Sequence, residues 1–180
     1  MVIICHRLNL LSKEMSVASE NKKTIDAYAW LMKSEPGECS IDDVLAMKDQ
    51  TVGWFGVRNY QARNFMRDQM RIGQPVLFYH SSCKEPGIVG VAEVAGEPYP
   101  DPTQFDKTSE YFDPKSTEEK SRWQQVDVKV LYKVHRISLD DLKKIPACQD
   151  MQVLKRGNRL SITPVTKKEW DAIEELFRRV

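Results

Sequence analysis

A chain of 180 residues with 27 Lys and Arg against 26 Asp and Glu has a net charge of +1, and its length suits one well-buried domain but not two ordinary ones. Near-neutrality excludes a global field that would draw in nucleic acid or an anionic membrane, so any polyanionic partner must be bound by a local patch or a pocket. Cys5, Cys39, Cys83 and Cys148 form neither a CxxC pair nor a dense framework, and no apolar run approaches the roughly 20 residues of a membrane span, which points to a soluble protein of a reducing compartment.

Residues 1 to 26 read as a flexible N-terminal arm. Arg7 and Lys13 sit among apolar residues there, as in a mitochondrial presequence, but the apolar run breaks at His6 and no clean small-residue cleavage site follows, which speaks against a secretory signal. The folded domain is expected over 27–180. Residues 27 to 34, AYAWLMKS, predict a strand stopped by Pro36 and Gly37, and Ser40 with Asp43 predicts a capped short helix. From Arg58 to Met70, the spacing of Ala62, Phe65, Met66 and Met70 predicts an amphipathic helix closed by Gly73. Residues 75–82 and 87–99 are expected as strands joined by the turn CKEPG. The stretch 100–122, rich in Pro and charge, is a long loop, either functional or a solvated crossover. A third long strand is expected over 123–137, where Val126, Val128 and Val130 alternate with polar residues. Ser138 with Asp141 opens another short helix, and 166–180 gives a terminal one with Trp170, Ile173, Leu176 and Phe177 inward. Non-local strand pairs with short helices at the edges make the class α+β.

Three kinds of chemistry are open to these residues. For an enzyme, His80 near Ser81 and Cys83 offers a minimal nucleophile and base, with Asp101 as a partner acid. Neighbours along a strand point to opposite faces, however, and there is no G-x-S-x-G elbow. Asp101, Asp106 and Asp113 match no cation loop, so no metal or other cofactor is expected and the acids are expected to be solvated. GWFGVRN lacks the G-K-[ST] of a phosphate loop. For a binding module, Trp30, Trp54, Tyr79, Tyr99 and Tyr111 fall at strand edges or loops where aromatic faces can hold a planar base or a methylated group, although each can equally serve the core. Arg63, Arg67 and Arg71 recur at four-residue intervals, and Lys155, Arg156 and Arg159 cluster around Gly157. Both are candidate backbone or phosphate contacts, or simply solvated faces.

The segments WLMKSEP (30–36), GVRNYQARNFM (56–66), FYHSSCKEPGIVGVAEV (78–94), YPDPTQFD (99–106), YFDPKS (111–116), WQQVDVKV (123–130) and RLSITPVT (159–166) resemble, in order, the EVE domain family. The resemblance implies a PUA-like, YTH-related fold, a twisted β-barrel with peripheral helices. It also implies a non-catalytic reader of modified nucleobases, with modified cytosine in DNA favoured over RNA. Carried over by motif, the base pocket would be lined by Trp30, Lys33 and Ser34, by Trp54, Arg58 and Asn59, and by Tyr79, His80 and Ser81. Phe55 stands where family members commonly have Asp, which replaces an acceptor or helix cap by a ring. A nuclear monomer is the expected state. An enzyme that processes a modified base, or a module reading methylated side chains or a small ligand, are the alternatives.

Overall fold

The computed structural model describes residues 25–178. The expected arm lies outside the described residues except for Ile25 and Asp26, and Ile25 packs against the core.

A mixed six-stranded sheet organises the domain. It is built from β1 (Ala29–Ser34), β2 (Thr51–Gly53), β3 (Pro75–His80), β4 (Gly87–Val94), β7 (Asp127–Ile137) and β8 (Ile162–Val165), in the order β2-β7-β4-β3-β1-β8. Two short strands, β5 (Tyr99–Pro100) and β6 (Gln124–Gln125), pair apart from it. β1 and β3 run parallel, so their C-terminal ends emerge side by side, while every other neighbouring pair is antiparallel. Register shifts at Phe78/Tyr79, Ile88/Gly90 and Val91/Ala92 put bulges into β3 and β4. Bulges raise local twist, and the sheet curls into a half-barrel with peripheral helices, which agrees with the α+β class read from the strand and helix pattern and with the curled sheet the resemblance implied.

The strand alternation sends side chains to two separate cores. Trp30, Met32, Val76, Phe78, Val128, Val130 and Ile162 face one layer, and Leu31, Leu77, Tyr79, Val91, Val134 and Val165 face the other. This is why the start of β1 is apolar without alternation: it is buried on both faces. The first layer is covered by α1 (Ile41–Ala46) and α2 (Tyr60–Asn64); the second by α3 (Leu139–Lys144) and α4 (Lys167–Glu174). Capping boxes start α1, α3 and α4 at Ser40, Ser138 and Thr166. Gly90 lets α1 settle on the sheet, because a Cβ there would stand 2.1 Å from Ile41 Cδ1 and 2.8 Å from the Tyr132 carbonyl.

Several sequence expectations change in detail. The helix predicted over 58–70 is α-helical only across α2 and continues as a wide π turn, Phe65–Gln69, closed by the Met70 N–H to Phe65 carbonyl bond of 2.9 Å. Its apolar set is nonetheless buried as predicted. The terminal helix stops at Glu174, so Leu176 is left 39% exposed, while Phe177 turns back against Tyr132 and Trp170.

Candidate functional site

Where β1 and β3 end side by side, the chain opens a cleft of about 450 Å³, within the usual range of about 300–1000 Å³ for small-ligand sites. Lys33 and Ser34 come from the end of β1, and Ser81 and Ser82 follow β3. The Ser81 N–H to Ser34 carbonyl bond of 2.8 Å clamps the two together. One wall is the loop from Val52 to Asn59, another is Glu35–Cys39 ahead of α1, and Tyr111, Arg159 and Ser161 complete the rim.

The 52–59 wall is held from behind by Asp101, which is wholly buried. Its carboxylate accepts from the Gly56 N–H at 2.9 Å and from Arg58 Nη1 at 2.8 Å, and its other oxygen accepts from the Thr103 N–H and hydroxyl. Burial alone would raise this carboxyl, but the bonds from Arg58, Thr103 and Gly56 outweigh it and hold it below the ordinary value. Arg58 donates in turn to the Tyr111 carbonyl and to Thr103 Oγ1 at 2.9 Å. It is therefore a strut that ties the cleft wall to the 100–122 loop.

That loop is not idle solvent chain. Gln104, also wholly buried, donates to the Asp101 and Trp123 carbonyls and accepts from the Arg122 and Trp123 N–H groups, which draws the two ends of the loop together. Asp113 accepts the Trp123 indole N–H at 2.7 Å and pairs with Arg122. The expectation that Asp101 and Asp113 are solvated acids is corrected, because both are structural acceptors inside the loop.

Two aromatic rings face the cleft from its rim. Phe55 is 36% exposed and meets Tyr111 edge-on at 6.0 Å. The Tyr111 hydroxyl donates to Glu38 at 2.7 Å, and burial followed by that carboxylate pushes the phenol well above its ordinary value. Gly56, at φ +77°, lies under this ring. Trp54 also lines the cleft but is only 7% exposed, since its indole sits edge-on against Phe78 at 5.2 Å.

The polar groups divide into engaged and waiting. Glu35 accepts from Ser82 and Glu38 from Tyr111. Lys33 is half-buried, burial pulls its pKa down, and its ammonium has no hydrogen-bond or ion-pair partner among the described residues. Arg159 projects from the rim.

Of the residues expected in a pocket, Lys33, Ser34, Trp54, Arg58, Asn59 and Ser81 line this cleft together. Asn59 also caps α2, its Oδ1 accepting from the Gln61 and Ala62 N–H groups. Trp30, Tyr79 and His80 are elsewhere. Trp30 sits near the start of β1 with no exposed surface, against Phe65, its indole N–H satisfied by Gln74 at 2.8 Å. Tyr79 alternates with Phe78 onto the opposite face and is buried in the second core. Of the expected backbone cations, only Arg159 reaches the cleft. Arg67 is held by Asp68 at 2.8 Å, Lys155 and Arg156 sit exposed on the turn about Gly157, and Arg63 lies outside along α2. Glu38, Cys39 and Ser161 line the cleft without having signalled it, since nothing in their local sequence sets them apart.

His80 lies in a separate, smaller groove with Asp42, Lys133, His135 and Arg136, where its Nε2 accepts the Ile41 N–H at 3.1 Å. An imidazole so engaged is neutral. Burial, more than Lys133, holds its pKa below the ordinary value, against the opposing pull of Asp42 and Asp43. The unfolded chain therefore takes up this proton first on acidification, so the stability tied to the His80–Ile41 bond is full above about pH 6.5 and falls as pH drops below it. Thermal melts from pH 8 to pH 5 should show that decline, and His80→Gln, which can accept the same N–H without titrating, should flatten it.

The sequence matches the EVE domain family over residues 28–176. It is 43% identical over 164 residues to thymocyte nuclear protein 1 of Homo sapiens, spanning 82% of this chain and 72% of the relative. The Danio rerio protein of the same name is 43% identical over 180 residues, spanning 87% of this chain and 77% of the relative. Among solved structures, that of human THYN1 in complex with 5-methylcytosine containing DNA is similar at a TM-score of 0.78 and 42% identity, over 82% of this chain and 96% of that one.

Proposed function

The chain belongs to the EVE domain family, and on that premise we propose that it is a non-catalytic reader of modified nucleobases in DNA, modified cytosine foremost. An unstacked base enters the cleft and lies against the rings of Tyr111 and Phe55, with the exposed margin of Trp54 beside it. Stacking of this kind is worth roughly 1–3 kcal/mol per base. Lys33 and the serines at the strand ends supply donors to the base's acceptor edge, and Arg159 meets the backbone at the rim. The DNA in the human relative's complex supports this choice of partner, and the name of the curated relatives supports a nuclear location.

The observation that carries the reading is Lys33. A half-buried ammonium without a partner among the described residues is destabilising in the free protein, and it is accounted for by an acceptor that arrives with the ligand. Lys33→Met is therefore expected to leave the fold as stable as before or more so, while weakening binding to a 5-methylcytosine oligonucleotide about tenfold. Thermal melts and fluorescence anisotropy measure the two effects. Loss of stability with unchanged binding would sink the reading.

Catalysis finds little support in the residues that suggested it. His80 is tied to α1 outside the cleft and Asp101 is saturated by Arg58, Thr103 and Gly56. Modified oligonucleotides incubated with the protein are expected to return unaltered by mass spectrometry.

A further inference from the structure

We propose that the surface beside the cleft formed by Tyr60, Arg63 and Arg122 over Trp123 is a second nucleic-acid contact, which holds the single strand flanking the base in the cleft. The Tyr60 ring is 48% exposed and stacks on Trp123 at 4.9 Å and 25°. The guanidiniums of Arg63 and Arg122 lie 4.8 and 5.7 Å from its centroid. This assembly is fixed before any ligand arrives. Arg63 Nη1 donates to the Arg122 carbonyl at 2.9 Å, its Nε and Nη2 donate to Asn64 Oδ1 at 3.1 and 2.6 Å, and Arg122 reaches the Tyr60 hydroxyl.

The charges do not balance locally. Arg122 is paired with Asp113 and Arg67 with Asp68, whereas Arg63 hydrogen-bonds only to carbonyl and amide oxygens among the described residues, and the nearby Asp68 charge is opposed by those of Arg67 and Arg122. A rigid guanidinium hydrogen-bonded to no carboxylate, next to an aromatic ring that is about half exposed, offers a phosphate a planar donor and a base a stacking surface at once. The location fits a continuous strand, since Asn59 lines the cleft and Tyr60 is the next residue. The inference rests on the cleft reading only for which strand is held.

Anisotropy titrations of the full chain with single-stranded oligonucleotides, one carrying 5-methylcytosine and one unmodified, at several salt concentrations, test it. Tyr60→Ala is expected to weaken both about tenfold while leaving their ratio unchanged, and Tyr60→Phe to retain the wild-type affinity. Arg63→Gln should weaken both and make the slope of log affinity against log salt shallower by about 0.7, the single-strand value for one lost phosphate contact. Unchanged affinities and slope would overturn the proposal, as would a loss confined to the modified strand. Displacement of the strand by a polyglutamate peptide as readily as by unlabelled strand would assign the patch to acidic protein segments instead. A wild type that binds both strands equally well would overturn the cleft reading alone, because the Tyr60 and Arg63 effects are measured on either strand.

Discussion

Asp101→Ala is expected to destabilise the protein by about 3 kcal/mol, the lower end of the range for a broken buried pair because Arg58 keeps 22% of its side-chain surface exposed. Alanine leaves a guanidinium partly buried without its carboxylate and strips the Gly56 and Thr103 N–H groups of their acceptor. Binding should fall with stability, because the same carboxylate fixes the loop that carries Trp54 and Phe55 and, through Arg58, the Tyr111 carbonyl. Arg58→Ala strands the other charge and is expected to be of similar severity, whereas the double variant should cost clearly less than the sum, since neither charge is then orphaned. Acid provides an independent check. The carboxyl is held below its unfolded value of 3.8, so its contribution is present above that pH and is lost as pH falls through the lower folded value. Urea unfolding at neutral and acid pH measures both effects, and a wild-type-like midpoint for Asp101→Ala would refute the strut.

How far the sequence revealed this site depends on the range of the interactions that make it. Ser40 with Asp43, Ser138 with Asp141 and the spacing of Ala62, Phe65 and Met66 act within a few residues; the two caps placed their helices, and the spacing placed the buried face though not the π turn that ends it. The motif matches also put Lys33, Ser34, Arg58 and Ser81 together, though 47 residues separate Ser34 from Ser81. What failed was facing. Trp30 and Tyr79 belong to strands buried on both sides, where an aromatic side chain is core whichever way it points; the unbroken apolar runs of β1 and β3 are the local sign of that burial, and a motif match does not weigh it. The 100–122 loop was opaque for another reason: its order comes from Gln104 and Asp113 reaching Trp123, contacts 19 and 10 residues long with no periodic signature. The bond between Gly56 and Asp101 spans 45 residues, so the acid reads locally as solvated although it is wholly buried. Phe55 is exposed at the rim against Tyr111 rather than packed inward.

The contact between Gly56 and Tyr111 yields the sharpest test of the cleft as the binding site. A Cβ on Gly56 would stand 2.8 Å from Tyr111 Cζ and 3.0 Å from both Cε atoms, directly against the ring. Gly56→Ala therefore imposes two separable penalties. The backbone at φ +77° disfavours any L side chain by about 1–2 kcal/mol, and the ring must move away, which breaks the Tyr111–Glu38 bond and alters the cleft rim. The expected result is a total destabilisation of about 2–3 kcal/mol and a loss of at least tenfold in affinity for a 5-methylcytosine oligonucleotide. Tyr111→Ala removes the ring and with it the clash. In that background Gly56→Ala should add only the backbone penalty and no further loss of binding, because the ring that Gly56→Ala displaces is already gone. A double-mutant cycle in stability and in anisotropy reads both couplings. If Tyr111→Ala bound modified and unmodified strands as the wild type does, the base would not lie against this ring, and the strain at Gly56 would serve the fold alone.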